Sequence, residues 1–287
     1  MNANASRYTP SPRPTYLEPT FVSFASVRRH VWGDLQSGLV GDWLYASTDK
    51  LHVLRFGLAP GRSFRHSPAY RTVFGADEVL CVLEGSMLAM NPETGEVLTC
   101  ERGDSLFFGR DTWHHVTARG SEPLRVLEFF APPPSTGASG AYAATRPYLD
   151  TSRYARDELI GSLPESAGPA ARASVPRTLR RITRPDHSLR LSGDVVVEVI
   201  ASTEQLTVAE LDIPSGGQAP VVRHGGDAMI VGLDGEFMVR TWWREESRTQ
   251  EIGPRDAVFL PEGTGYEILS FGDRAHAHIG VAPRFLT

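Results

Sequence analysis

The sequence predicts an all-β chain that contains two tandem copies of a small sandwich or barrel domain, joined by a linker. Three observations support this prediction: the chain repeats itself, its apolar runs are short, and glycine or proline separates most of them. The 287 residues include 27 glycines and 21 prolines, and no segment shows a long helical period. This length allows two domains that each bury a core of their own.

The internal repeat is the strongest of these observations. Residues 46–61 have the sequence ASTDKLHVLRFGLAPG, and residues 201–216 have the sequence ASTEQLTVAELDIPSG. Further along, GADEVLCVLEG corresponds to GGDAMIVGLDG, and GDSLFFGRDTWHH corresponds to RDAVFLPEGTGYE. The chain is therefore a duplication, with a first domain expected at residues 41–132 and a second at residues 191–287.

Short apolar runs rich in β-branched and aromatic residues predict the strands. In the first copy these runs are HVLRFGL, EVLCVLE, SLFF and RVLEFF, and the segment NPETGE predicts a hairpin turn. Many short strands at even spacing are typical of a sandwich or barrel. Residues 1–40 form a separate arm. Residues 133–190 have the composition of a linker, with loops and one short helix expected at residues 154–163.

Composition argues against several classes of function. The formal net charge of −5 gives no reason to expect binding to nucleic acid or to an anionic membrane. No apolar run is long enough for a transmembrane helix, and the polar, proline-rich N-terminus does not resemble a signal peptide. The two cysteines do not form a disulfide framework. We therefore expect a cytoplasmic protein.

Two motifs in the first copy connect the chain to a known family. Glu78 precedes Gly85 at the spacing of the first cupin motif, and Gly103, Gly109 and His114 keep the spacing of the second. The chain thus resembles a bicupin, a protein with two tandem cupin domains. This resemblance implies two double-stranded β-helix barrels, also called jelly rolls. It also implies one divalent metal ion, which glutamate and histidine side chains bind.

The resemblance suggests His66, Glu78 and His114 as the metal ligands. Strand alternation supports Glu78: in EVLCVLEG, Glu78 shares one face with Leu80 and Val82, whereas the following cysteine points the other way. Two histidines and one carboxylate are the ligand set of many non-haem Fe(II) sites, and they also suit Mn, Ni, Co or Zn. His115, directly after His114, is expected to point away from the site.

His66 is assigned from the repeat, because the histidine pair of the first cupin motif is absent. Aligning His66 with His224 of the second copy leaves residues 67–74 as an insertion. We expect this insertion to form a loop over the mouth of the barrel. It carries Tyr70 and Arg71, the candidate catalytic residues, and Arg71 could bind a substrate carboxylate or enolate through paired hydrogen bonds.

The second copy keeps the signals of the fold but loses those of the metal site. Ala228 stands where the first copy has Glu78, and Tyr266 stands where it has His114. His276 and His278 share one strand face and resemble a ligand pair, but no carboxylate accompanies them at motif spacing. The second domain is therefore expected to be a structural partner.

Some positions remain open at this stage. Glu128, within the apolar run RVLEFF, either points inward or lies on an edge strand that faces water. Phe107 and Trp113 either line a pocket or pack in the core.

The function that these features favour is a metal-dependent enzyme acting on a small organic molecule, with a non-haem iron oxygenase or dioxygenase as the first candidate. A metal-dependent isomerase, cyclase or lyase is the second. A non-catalytic protein that binds a small molecule or sugar, and a metal-free enzyme that uses His224 and Tyr266 as acid and base, are further alternatives. A homodimer is also possible, because the arm could pair with the sheet of another subunit.

Overall fold

The computed structural model of the chain describes residues 12–34, 38–65, 74–91, 94–110, 112–132 and 179–283. These residues form strands, turns and a short 3-10 helix at Arg184–Asp186. Within them, no helix has the length and apolar character needed to cross a membrane. The helix expected at residues 154–163 lies outside the described residues.

The strands follow one another along the chain in two groups. The arm and the first barrel contain β1 (Thr20–Val22), β2 (Arg28–Asp34), β3 (Gly38–Ser47), β4 (His52–Leu58), β5 (Ser63–Arg65), β6 (Asp77–Glu84), β7 (Ser86–Asn91), β8 (Glu96–Glu101), β9 (Ser105–Phe108), β10 (His115–Arg119) and β11 (Leu124–Ala131). The second group contains β12 (Leu179–Ile182), β13 (Ser188–Ser192), β14 (Val195–Ser202), β15 (Thr207–Ile213), β16 (Asp227–Asp234), β17 (Phe237–Trp243), β18 (Glu246–Ile252), β19 (Ala257–Leu260), β20 (Gly265–Leu269) and β21 (Ala275–Ala282).

Each barrel consists of a large and a small antiparallel sheet. In the first barrel the large sheet has the order β12-β9-β6-β11-β4-β3-β2, and the small sheet has the order β5-β10-β7-β8. In the second barrel the corresponding orders are β1-β19-β16-β21-β15-β14-β13 and β18-β17-β20. The all-β fold with two jelly-roll barrels is therefore confirmed. The hairpin predicted at NPETGE is confirmed as well, because β7 pairs with β8.

The two barrels exchange strands. β1, from the arm, pairs with β19 of the second barrel. β12 lies within residues 133–190, the segment predicted as a linker, and it pairs with β9 of the first barrel. The part of the arm at Thr20–Val22 therefore extends a sheet of its own chain. Strand β2 of the arm joins the first barrel, because it pairs with β3 and the Trp32 ring lies 5.6 Å from the Phe64 ring.

The large sheets of the two barrels pack against each other through their outer faces. One apolar cluster contains residues of both, among them Val79, Cys81, Phe129, Met229 and Phe259. Strands β6, β9 and β11 consequently have one face in this cluster and the other inside the first barrel. Burial on both faces explains why their sequences are almost continuously apolar.

Backbone conformation and close packing explain why each barrel has glycine at the end of the first motif. Gly85 has a φ of 78°, and the equivalent Gly235 has a φ of 66°. A Cβ on Gly85 would lie 2.7 Å from the carbonyl oxygen of Pro123, which is closer than two such atoms approach. Only glycine combines this left-handed backbone with so close a neighbouring chain.

Candidate functional site

Glu78 lies inside the first barrel, near the start of β6. Its neighbours across the sheet are Phe108 on β9 and Phe130 on β11. Leu80 belongs to the interior cluster of the barrel, and Cys81 belongs to the cluster between the barrels. The predicted alternation along β6 is confirmed, and Glu78 is only 1% exposed.

His114 approaches Glu78 from the segment just before β10. Its Nε2 lies 3.8 Å from Oε2 of Glu78, and its Nδ1 lies 3.3 Å from the carbonyl oxygen of Thr112. The imidazole stacks on the Phe108 ring, with 4.0 Å between the ring centroids. The next strand residue, Val116, is buried in the barrel interior, so the His115 side chain lies on the opposite face of the strand. This agrees with the expectation that His115 points away from the site.

Among the described residues, neither oxygen of Glu78 has a hydrogen-bond partner. When Nδ1 of His114 donates to Thr112, Nε2 presents a lone pair toward the carboxylate. Burial lowers the pKa of His114 to about 4, so its imidazole is neutral at neutral pH. When Glu78 is ionised, two electron-rich atoms therefore face each other in a buried position, an arrangement that is unfavourable without a bound cation or proton.

Burial also acts on the Glu78 carboxyl. It raises the pKa of Glu78 well above its usual range, and the nearby Glu128 and Asp77 carboxylates raise it further. A divalent cation would offset this cost, because both atoms are ligands that such ions prefer. Two metal–ligand bonds of about 2.1 Å reach across at most about 4.2 Å, so the 3.8 Å separation is compatible with a shared ion.

The remaining predicted site residues, His66, Tyr70 and Arg71, lie outside the described residues. In the part of the chain that the structure describes, no group of three or more His, Cys, Asp or Glu side chains is arranged to hold a metal ion. The described chain resumes at Phe74, whose ring lies 6.5 Å from the His114 ring and 5.6 Å from the Phe130 ring.

Two further acids point into the first barrel. Glu128 lies on β11, which is not at an edge of the sheet. Its side chain points inward, because its neighbours across the sheet, Leu54 and Leu80, belong to the interior cluster. Asp42 lies on β3, and its partner across the sheet is Phe56, an interior residue. Burial raises the pKa of Glu128 to about 8. Burial also raises the pKa of Asp42 well above its usual range, and the negative charge of Glu128 raises it further.

Aromatic rings surround His114. Phe64, Phe74 and Phe108 all approach it. Phe107, which the sequence left open as a wall residue, instead packs in the cluster between the barrels. Trp113 lies beside His115, with 5.6 Å between the ring centroids. The aromatic wall therefore comes from residues that the motif analysis did not select.

The register of the second barrel shows what has replaced the interior acids. Ala228 pairs with Leu260 and Val281, as Glu78 pairs with Phe108 and Phe130. When the strand pairs of the two barrels are aligned residue by residue, apolar residues of the second barrel take the positions of the three interior acids of the first. Ala228 corresponds to Glu78, Ile279 to Glu128 and Val197 to Asp42.

His276 and His278 do have a carboxylate nearby, on the adjacent strand. Glu210 on β15 lies opposite His278, and its oxygens are 3.6 Å from His276 and 3.8 Å from His278. Arg184 also binds Glu210, at 3.0 Å. The imidazole of His278 beside Glu210 is the main reason why the pKa of this carboxyl falls to about 2. The cluster lies on the outer face of the second barrel, where Arg184 and Glu210 form an ion pair.

Comparison with known proteins agrees with this geometry. The model of the cupin domain family matches residues 58–130. The first barrel is a cupin domain. Because the second barrel repeats its fold, the chain is a bicupin. Among curated proteins, no sequence matches this bicupin.

Several solved structures share the architecture of this chain. The putative glyoxylate-induced protein of Pseudomonas aeruginosa superposes with a TM-score of 0.66 at 13% identity, over 96% of this chain and 94% of that chain. Oxalate decarboxylase of Lactobacillus farciminis in complex with formate gives a TM-score of 0.60 at 15% identity, over 96% and 89%. A variant of Bacillus subtilis oxalate decarboxylase gives 0.62 at 14% identity, over 94% and 78%. At these identities the likeness concerns the fold alone.

Proposed function

We propose that this bicupin is a metal-dependent enzyme that converts a small organic molecule inside its first barrel. One observation carries the proposal: the buried carboxylate of Glu78 has no hydrogen-bond partner among the described residues, and it faces Nε2 of a neutral His114 at 3.8 Å. A divalent cation would satisfy both atoms together. A protein of similar fold supports the proposal of a metal site, since the oxalate decarboxylase of Bacillus subtilis has Mn(II) centres.

Glu78 and His114 would hold the metal, with His66 as the third ligand. Fe(II) is the first candidate, and Mn, Ni, Co and Zn fit the same donors. Bound there, the ion would supply Lewis-acid or redox chemistry. The chain itself keeps the ligands in place, because Thr112 fixes the orientation of the imidazole and Phe108 stacks against it. A hydrogen bond to the far nitrogen of a ligating histidine is the usual way to orient it.

The substrate would lie in the barrel between the metal ligands and the inner carboxyl groups. The surrounding aromatic rings exclude water, which strengthens polar interactions within the pocket. Tyr70 and Arg71 would contact the substrate from the loop predicted at residues 67–74. Arg71 would bind a substrate carboxylate through paired hydrogen bonds.

Oxygen-dependent oxidation is the first candidate reaction, because three protein ligands leave coordination positions open for substrate and dioxygen. A lyase or isomerase reaction is the second, and a separate observation favours it. Asp42 and Glu128 are carboxyl groups inside the same barrel with raised pKa values. Acids that remain protonated near neutral pH can donate a proton to a substrate carbanion or enolate.

Turnover by the reconstituted protein tests the proposal. The chelated protein would be loaded anaerobically with Fe(II) or Mn(II) and assayed with a panel of small carboxylic acids that includes oxalate and glyoxylate. Oxygen uptake would identify an oxygenase, and product formation without oxygen uptake would identify a lyase or isomerase. We expect His114→Ala to abolish turnover and His115→Ala, the matched control, to keep it. Turnover by metal-free protein, or unchanged turnover in His114→Ala, would overturn the proposal.

A further inference from the structure

The second barrel contains a small pocket of a different kind. Its volume is about 160 Å³. Most of its wall is apolar, from residues Leu191, Val195, Val197, Leu211, Ala219, Val222, Ile268 and Ile279. Two of these, Val197 and Ile279, occupy the positions of Asp42 and Glu128 in the first barrel. The replacement of acids by apolar side chains has therefore changed the chemistry of this interior.

One polar pair lies in this apolar wall. Nε2 of His224 lies 2.8 Å from the hydroxyl oxygen of Tyr266, and the two residues are 5% and 4% exposed. Burial raises the pKa of Tyr266, so the phenol keeps its proton. When this hydroxyl donates to Nε2, its oxygen still has lone pairs that can accept a hydrogen bond from a ligand.

Backbone hydrogen bonds hold this pair in place. The amide of Tyr266 donates to the carbonyl of Val222 at 3.0 Å, and the amide of Val222 donates back to Tyr266 at 2.8 Å. The carbonyl of His224 accepts from the amide of Gly263 at 3.0 Å. The polar group is thus fixed before any ligand arrives, which lowers the entropy cost of binding.

The rim of the pocket is also apolar. Leu191 lines the pocket from the edge strand β13 and is 76% exposed, and Val221, next to the pocket residue Val222, is 49% exposed. Arg190 is a charged residue of the wall, and it is exposed at the same edge. An apolar ligand would cover these side chains on entry, whereas the one permanently charged side chain of the wall, Arg190, is exposed at the edge of the pocket.

We infer that the second barrel binds a small, uncharged, largely apolar molecule that carries one hydroxyl group, with the hydroxyl hydrogen-bonded to Tyr266. The pocket volume matches a single six-membered ring, since an apolar protein cavity of about 150 Å³ can hold benzene. Phenol therefore represents the ligand class. This site is separate from the proposed metal centre and does not depend on it.

Binding of phenol and toluene to the full chain tests this inference, because the two probes have the same size and differ in the hydroxyl. We expect saturable binding of phenol by calorimetry, with a dissociation constant on the order of 0.1–1 mM. Toluene should bind about three- to tenfold more weakly, because it lacks one hydrogen bond. Tyr266→Phe should lower the affinity for phenol to that for toluene and leave toluene binding unchanged.

Two more variants locate the site. Ala219→Leu fills the pocket and should abolish binding of both probes, whereas Glu78→Ala alters only the first barrel and should retain it. If Ala219→Leu does not fold, nuclear Overhauser contacts from phenol to the methyl groups of Ile268 and Ile279 serve instead. The inference is overturned by the absence of saturable phenol binding, by an unchanged phenol affinity in Tyr266→Phe, by loss of binding in Glu78→Ala, or by the absence of those contacts.

Discussion

Nε2 of His114 and Oε2 of Glu78 lie 3.8 Å apart inside the first barrel, and both residues are almost fully buried. Without a cation, this pair should destabilise the folded chain, because a buried carboxylate without a hydrogen-bond partner has lost its hydration and gained nothing in return. A metal ion that binds only the folded state would reverse this effect. The stability of the metal-free protein is therefore informative about the site.

Glu78→Gln should stabilise the chelated protein at pH 8. The amide is neutral, has nearly the same shape and can donate a hydrogen bond to His114. We expect the free energy of unfolding to rise by about 1–3 kcal/mol. Urea denaturation in the presence of a chelator measures this change. A fall in stability would contradict the account, and the exposed Glu96→Gln should change stability by no more than about 0.5 kcal/mol.

The gain from Glu78→Gln should depend on pH. The folded-state pKa of Glu78 lies above its unfolded value, so its contribution to stability is fully present below the unfolded pKa and is lost as the pH rises. The difference between variant and wild type should therefore be larger at pH 8 than at pH 5. A difference that does not change with pH would argue against a buried, uncompensated carboxyl.

His52 should make the protein sensitive to acid. Its Nδ1 lies 2.8 Å from the hydroxyl of Ser47, its ring packs 4.3 Å from the Phe130 ring, and burial lowers its pKa to about 3. Because the folded-state pKa is below the unfolded value, the contribution of His52 is present above about pH 6.5 and is lost as the pH falls toward 3.

His52→Gln removes this titration and keeps a polar group beside Ser47. Between pH 6 and pH 4, we expect the stability of wild type relative to the variant to fall by about 1 kcal/mol per pH unit. Chemical denaturation at several pH values provides both curves. If the two curves run parallel, His52 does not titrate in this way.

Gly280 should be intolerant of a side chain because of the other barrel. A Cβ at this position would overlap the ring of Phe129, which is fully buried between the barrels. We expect Gly280→Ala to destabilise the protein by about 1–3 kcal/mol. Combining it with Phe129→Leu should cost less than the sum of the two single changes, because the smaller side chain makes room for the methyl group. Additive effects would show that the two residues do not contact each other.

Local sequence patterns were sufficient to predict the fold. They were not sufficient to predict which distant segments contact each other. Alternation along β6 correctly placed Glu78 on the inner face. The site of β1 was not predictable in this way, because a strand of three residues carries too little pattern to identify β19 as its partner. A single acid in an apolar run, such as Asp42, becomes an interior residue only when the register of its strand is known.

Pairing between strands also explains the carboxylate missed beside His276 and His278. Glu210 lies on a neighbouring strand and far away in the sequence, so motif spacing could not reveal it. The roles of His66, Tyr70 and Arg71, the identity of the metal and the formation of a homodimer remain predictions.

Metal content is the most direct test of the central claim. Plasma mass spectrometry would be applied to tag-free wild type, His66→Ala, Glu78→Ala and His114→Ala, with His278→Ala as the matched control on the outer face of the second barrel. The account predicts close to one divalent metal ion per chain in wild type and His278→Ala, and its loss in the other three variants. Wild-type protein that binds no metal after anaerobic reconstitution, or Glu78→Ala protein that keeps its metal, would contradict the account.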